Sequence, residues 1–226
     1  MTKEEYIEKN YLGFVVEENP ILEFHRTDAG EIHREDGPAI VYEKGNTEWW
    51  LNGKRHRDGG PACDWSDLEP GAGVWYQHGK IHRVGAPAMK WSKDQNMPEY
   101  WYLNDEMHRE DGPAIDYGDG KGTWAKHGKM HREDGPAEYL SNQHKIWAIN
   151  GQCHREDGPA EITGEGKRWF KHGKLHRVDG PAWIYNPRMK KNWPDGEWKD
   201  TYWLDGVELT KEEWLEKRKQ YLENTK

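Results

Sequence analysis

The sequence predicts an all-β protein: an elongated, single-layer stack of antiparallel β-hairpins with a short C-terminal helix as its cap. Three observations carry this. First, one short string, His-Arg-Glu-Asp-Gly-Pro-Ala in its fullest form, occurs seven times, beginning at His33, His56, His82, His108, His131, His154 and His176. The copies start 23, 26, 26, 23, 23 and 22 residues apart, a period that marks stacked repeats. Second, a Trp stands seven residues before the His in six copies: Trp49, Trp75, Trp101, Trp124, Trp147 and Trp169. Third, almost all variation in length falls in polar, turn-like patches such as EKGNT, SKDQNMP and GDGKG.

The elements follow in order. Residues 1–24 read as an N-terminal cap segment, in which Thr2 and Glu5 match a capping box. Residues 25–208 are the array. Each repeat is expected to give two strands, one running from Pro-Ala through segments such as Ile40-Val41-Tyr42, the other carrying the Trp, as in Thr47 to Leu51. The variable patches belong at the hairpin tips, because the opposite connection must stay constant to hold the stacking. Pro is tolerated at the first position of a strand, and the Gly before it, Gly135 for example, is expected at positive φ. About fourteen to sixteen strands spaced roughly 4.8 Å apart would make a ribbon about 70 Å long, with a radius of gyration above the roughly 17 Å of a compact domain. A β-helix with one coil per repeat is the alternative. Tyr202 to Gly206 is a degenerate half-repeat. Residues 209–226 form the capping helix: Thr210 and Glu213 make a second capping box, and Trp214, Leu215, Arg218, Tyr221 and Leu222 share a face.

Charged residues are 33% and hydrophobic ones 34%, so burial rests on large rings, with 14 Trp and 11 Tyr. The net charge of −8 argues against nucleic acid and against an anionic membrane as partners. Cys63 and Cys153 lack metal-type spacing and read as small core residues in a reducing compartment. No stretch is apolar enough to span a bilayer, and a cytoplasmic location is expected.

The half-unit Trp50-Leu51-Asn52-Gly53-Lys54-Arg55-His56, echoed at Tyr76 to Lys80 and Phe170 to Lys174, resembles a MORN-type repeat. The likeness spans roughly residues 25 to 208. It implies a stacked antiparallel hairpin sheet. The glycine-rich second half of that repeat is replaced here by the His-Arg-Glu-Asp-Gly-Pro-Ala string, as in a MORN-variant. Bacterial and viral variants include antitoxin-like and inhibitor-like members, so the resemblance implies a non-enzymatic protein-binding role of that kind.

The residues point the same way. A His beside an Asp could be an acid–base pair, but a feature present seven times suits a scaffold, and His131→Ala is expected to cost stability rather than one activity. His side chains two strands apart lie roughly 9.5 Å from each other, too far to share a zinc ion. The Arg row is expected to pair with the acids of the strings and to stack on the Trp of the adjacent repeat. The residue after each Trp varies in size and points to the opposite face. Trp50, Tyr76, Tyr102, Phe170 and Trp203 of this row are the candidate contact surface for a protein partner with a basic surface. A glycan binder using these rings, or a hydrolase using one His–Asp pair, are the alternatives. No cofactor or metal is called for. Asn and His alternate four residues before the string, and the unrepeated segment 186–199 is basic and aromatic; neither suggests a role.

Overall fold

The structure, a computed structural model, describes residues 2–5, 20–65, 71–91, 97–188 and 199–224. It is mostly β. Fourteen short strands form one antiparallel sheet in chain order, beginning at Ile21–Phe24 and ending at Trp183–Tyr185. The sheet thus starts four residues before the expected array. Contacts divide the chain into two compact units, Met1–Tyr117 and Gly118–Lys226.

Within the first unit, register places Ile40, Glu48, Cys63, Val74, Met89, Tyr100 and Ile115 in one row across the sheet. The next residues along, including Val41, Thr47, Asp64, Gly73 and Lys90, face the other way. The first row is the inner one, holding fully buried Ile40 and the buried Glu48, Cys63 and Val74. In the second unit, the corresponding row is Thr123, Glu138, Ile146, Glu161, Arg168 and Trp183. Among the described residues, the variable patches EKGNT, GDGKG, LSNQH and TGEGK sit at the tips between the two sheet strands of a repeat, as expected; residues 66–70 and 92–96 lie outside the described residues.

Each repeat holds four strands, where the sequence suggests two. The segment Thr47 to Leu51 is not one strand. Thr47–Glu48 belongs to the sheet, and Trp50–Leu51 pairs with Lys54–Arg55 in a separate small hairpin. Seven such hairpins occur among the described residues. Trp49 is the switch between them. Its N–H donates to the Ala62 carbonyl at 2.7 Å, and its own carbonyl accepts the His56 N–H at 3.0 Å. Both groups are spent on bonds that turn the chain out of the sheet ladder. The same pair of bonds recurs at Trp75, Trp101, Trp124, Trp147 and Trp169.

The turns of the small hairpins explain the Asn/His alternation. Asn52, His78, Asn104, His127, Asn150, His172 and Asp205 all have φ between 48° and 54°, each followed by a second residue at positive φ. Two such residues in succession make a type I′ turn, which matches the right-handed twist of its strands. Asn, Asp and His are the non-glycine residues that enter this region most readily.

The Gly before Pro behaves differently. Gly135 lies outside the left-handed region, and a Cβ there would meet the tip of the flexible Arg132 side chain at 3.2 Å. The expectation of positive φ fails because the loop turns through the Arg–Pro contact described below. The third string carries Ala86 at this place. The alanines after Pro, from Ala39 to Ala182, are 0% exposed, so any larger side chain would collide with the packed interior.

The terminal helix, Lys211–Asn224, starts on the predicted capping box, with the Thr210 N–H to Glu213 Oε2 at 2.9 Å and the Glu213 N–H to Thr210 Oγ1 at 3.2 Å. The Thr2–Glu5 box also forms. The packed face of the helix is narrower than expected. Trp214 is buried and donates to the Arg177 carbonyl; Arg218 reaches the Val178 carbonyl; Tyr221 lies against His176. Leu215 and Leu222 are exposed. The helix covers the seventh string and the last small hairpin. Residues 189–198 of the unrepeated segment lie outside the described residues.

Candidate functional site

The repeated string forms a loop at one edge of each repeat, and its geometry is nearly the same every time. The Arg guanidinium lies 3.9–4.1 Å over the Trp of its own repeat in six copies, Arg57 on Trp49 through Arg177 on Trp169. The sequence places this stack on the adjacent repeat; the loop is too tight for that, since the Arg must also cap itself. Its Nη1 donates to the Pro carbonyl four residues on, at 3.0–3.4 Å in all seven copies. In five copies its Nε also donates to the loop Asp at 2.7–3.2 Å, as Arg132 does to Asp134. The expected Arg–acid pairing thus lies within the loop in these five copies, while Arg34, Arg57 and Arg109 also reach an acid on a sheet strand, Glu23, Asp64 and Asp116. The guanidinium beside each of the five loop aspartates holds its carboxyl below the ordinary value of 3.8.

The His binds one repeat to the next. Nδ1 of His33 accepts the Asn52 N–H at 3.0 Å, and the same bond runs from His78 to His56, Asn104 to His82, Asn150 to His131 and His172 to His154 at 3.2–3.3 Å. At His82 and His131 the side-chain amide of the Asn also lies 3.0 Å from Nδ1; where Nδ1 only accepts, as at His33, the proton of a neutral ring is on Nε2. That nitrogen lies 3.1–3.7 Å from the acid two residues later, Glu110 for His108 and Glu133 for His131. In two places where the next turn carries a His the rings stack, His56 on His78 at 4.4 Å and His154 on His172 at 4.3 Å. Two backbone bonds flank this clasp. For the second string they are Gly79 N–H to the Arg55 carbonyl and Arg57 N–H to the Tyr76 carbonyl. The repeated His and Arg are therefore engaged inside the lattice. The exposed part of each loop is its acids: the side chains of Glu35, Asp36, Asp58, Glu133, Asp134 and Asp157 are more than 80% exposed.

The aromatic row named from the sequence lies on the first strand of the small hairpins. Trp50, Tyr76, Tyr102, Phe170 and Trp203 are all half-buried, and none is among the exposed large apolar side chains. Ala125 and Ala148, at the same position, are buried completely or nearly so. The row thus faces the sheet. Trp50 Nε1 donates to buried Glu48 at 3.0 Å, which also accepts from Tyr42 and Arg55. Arg55 lies between the rings of Trp50 and Tyr76, at 4.7 and 5.7 Å. Trp203 Nε1 is held by Thr201. The structure brings Trp50 and Tyr76 together through Arg55.

Cys63 is buried, and burial, assisted by the charge of Glu48, pushes its thiol up to about 12. No group of three His, Cys, Asp or Glu side chains among the described residues could hold a metal ion. No helix among them is long and apolar enough to cross a membrane. No family model, curated protein or solved structure matches this chain.

Proposed function

We propose that this protein is a non-enzymatic repeat scaffold of MORN-like type that binds another protein through its loop edge, in the manner of an inhibitor or antitoxin-like factor. One observation carries the reading. The groups with catalytic chemistry, the repeated His and Arg, are consumed in holding repeats together, whereas the groups left to solvent are a periodic series of carboxylates. Adjacent loops are two strands apart, roughly 9.5 Å, so the acids form an evenly spaced negative edge within each unit. Such an edge favours a partner with a basic surface and accelerates encounter at low salt. The half-buried rings of Trp50, Tyr76 and Tyr102 offer only their rims and take a supporting part.

The test begins with affinity purification from the native host and identification by mass spectrometry. Binding of the recovered partner is then measured against salt and against the double variant Glu133→Lys/Glu156→Lys. Association is expected to weaken at least tenfold in the variant, which should still melt cooperatively, and to slow as salt rises. Affinity indifferent to both changes would remove the loop edge as the contact surface.

A further inference from the structure

The second and third strings depart from the rest at the position that holds the Arg. There the loop Asp is replaced by Gly59 and Gly85, both at positive φ, and around the Cβ position of each there is no atom within 4 Å. The missing carboxylate thus leaves open space. Arg57 keeps one acid, Asp64, on Nη1 at 2.7 Å. Arg83 keeps none: the residue that corresponds to Asp64 is Lys90, and among the described residues no carboxylate oxygen lies within ion-pair distance of Arg83. Glu99 acts on it only through space, while partial burial pulls its ionisation down. Its guanidinium still stacks on Trp75 at 3.9 Å and caps the Pro87 carbonyl at 3.0 Å, so it is held in the same pose as in the other copies.

Between the two loops is a hollow of about 380 Å³, lined by Arg57, Gly59, Trp75, His82, Arg83 and Val84 among others. The corresponding hollow between the sixth and seventh strings is lined by Arg155 and Arg177 together with Glu156, Asp157 and Asp179. That second hollow already contains its own carboxylates. The four complete loops whose Arg stacks on a Trp, those of Arg109, Arg132, Arg155 and Arg177, therefore show within one molecule which group fits on Nε of such an Arg, at 2.7–3.0 Å.

We propose that the hollow between the second and third strings is a carboxylate-binding site, in which a ligand's carboxylate sits between Arg83 and Arg57, in the place beside Gly59 that Asp157 holds in the corresponding hollow. The exposed Val84, 78% accessible, and the edge of Trp75 provide an apolar rim, so the preferred ligand joins a carboxylate to a short aliphatic stem, as a Glu or Asp side chain or a small carboxylic acid does. This site is independent of the protein-binding reading.

The test is a titration of the Arg Nε–H resonances by nuclear magnetic resonance at constant ionic strength, with acetate, an acetylated glutamate-containing tetrapeptide amide, and phosphate as probes. Saturable shifts are expected for Arg83, and more weakly for Arg57, with both carboxylate probes. Arg34, Arg109, Arg132, Arg155 and Arg177 should not move. Tighter binding of the peptide than of acetate would assign the natural ligand to a protein side chain; equal binding would assign it to a free acid. The double variant Gly85→Asp/Ala86→Gly restores the loop's own acid and should weaken acetate binding at Arg83 at least tenfold. If that variant fails to fold, Gly59→Asp gives the same contrast at Arg57. Absence of a saturable shift, equal shifts at the five filled arginines, or a response to phosphate alone would overturn the proposal.

Discussion

Gly135 and Gly151 lie in the same unit and obey different rules. Gly135 has an ordinary backbone and a flexible neighbour, so Gly135→Ala is expected to change stability by no more than about 0.5 kcal/mol. Gly151, at φ 79° in a type I′ turn, should lose about 1 kcal/mol or more on the same substitution. Thermal melting of the two variants checks both; equal losses would contradict the turn assignment. The loop aspartates predict an acid response. Their folded-state carboxyls titrate below 3.8, chiefly through the Arg hydrogen bond. A depressed folded value means that their contribution is complete above the unfolded value and disappears as pH falls through the lowered one. Melting temperature should therefore decline below about pH 3.8. Asp134→Asn/Asp157→Asn should melt lower than the parent near neutrality and show a shallower decline in acid. That the His and Arg serve the scaffold was legible from their repetition. Which Trp each Arg meets was not, because in a periodic chain the own and the neighbouring Trp offer the same chemistry at equivalent spacings.

The small hairpin is the element that sequence reasoning missed. In six of the seven its strands are two residues long, too short to show alternation, and the Trp before each of these six hides the break in the ladder. The usable signal was the turn itself: Asn52-Gly53 and Asn150-Gly151 are strong hairpin dipeptides, and His at the same place is a rarer occupant of the same left-handed region. The pair is expected to be interchangeable. Asn150→His should be tolerated within about 0.5 kcal/mol, since the new ring can stack on His131 as His172 does on His154, whereas Asn150→Ala should cost about 1 kcal/mol for placing Cβ in the left-handed region. Comparable melting of all three proteins would mean that the turn does not constrain the hairpin. The aromatic row shows the opposite limit. Its alternation relative to Trp49 was readable, but whether it faced solvent or sheet depended on the unseen hairpin folding back over Glu48 and Cys63. The helix start was legible from Thr210 and Glu213, since a capping box is local chemistry. Its packed face was not, because it is fixed by polar contacts to the seventh string, Trp214 and Arg218 to the Arg177 and Val178 carbonyls, which an apolar pattern does not show.

At the scale of the whole molecule, the period made the chain a stacked array, because a unit of 22 to 26 residues cannot bury a core without its neighbours, and the confinement of variable turns to one side of the unit made it a stack of hairpins. Stability in such an array is a sum of local terms, so damage should stay local. Ending the chain after Leu209 removes Trp214 from Arg177 and Tyr221 from His176. Hydrogen exchange is expected to quicken most in the Tyr202–Leu209 hairpin, less in the Phe170–Leu175 hairpin, and little at Trp124 to Met130. Uniform loss of protection through the second unit would show a single cooperative block instead. A regular edge also has a weakness as an address. A partner whose charges match one loop matches the next loop equally well, and it can settle one step out of phase with little change in energy. Gly59 and Gly85 break that sameness. They act as a mark on a ruler with identical divisions, and a partner able to sense the mark has one alignment where a uniform edge would offer several.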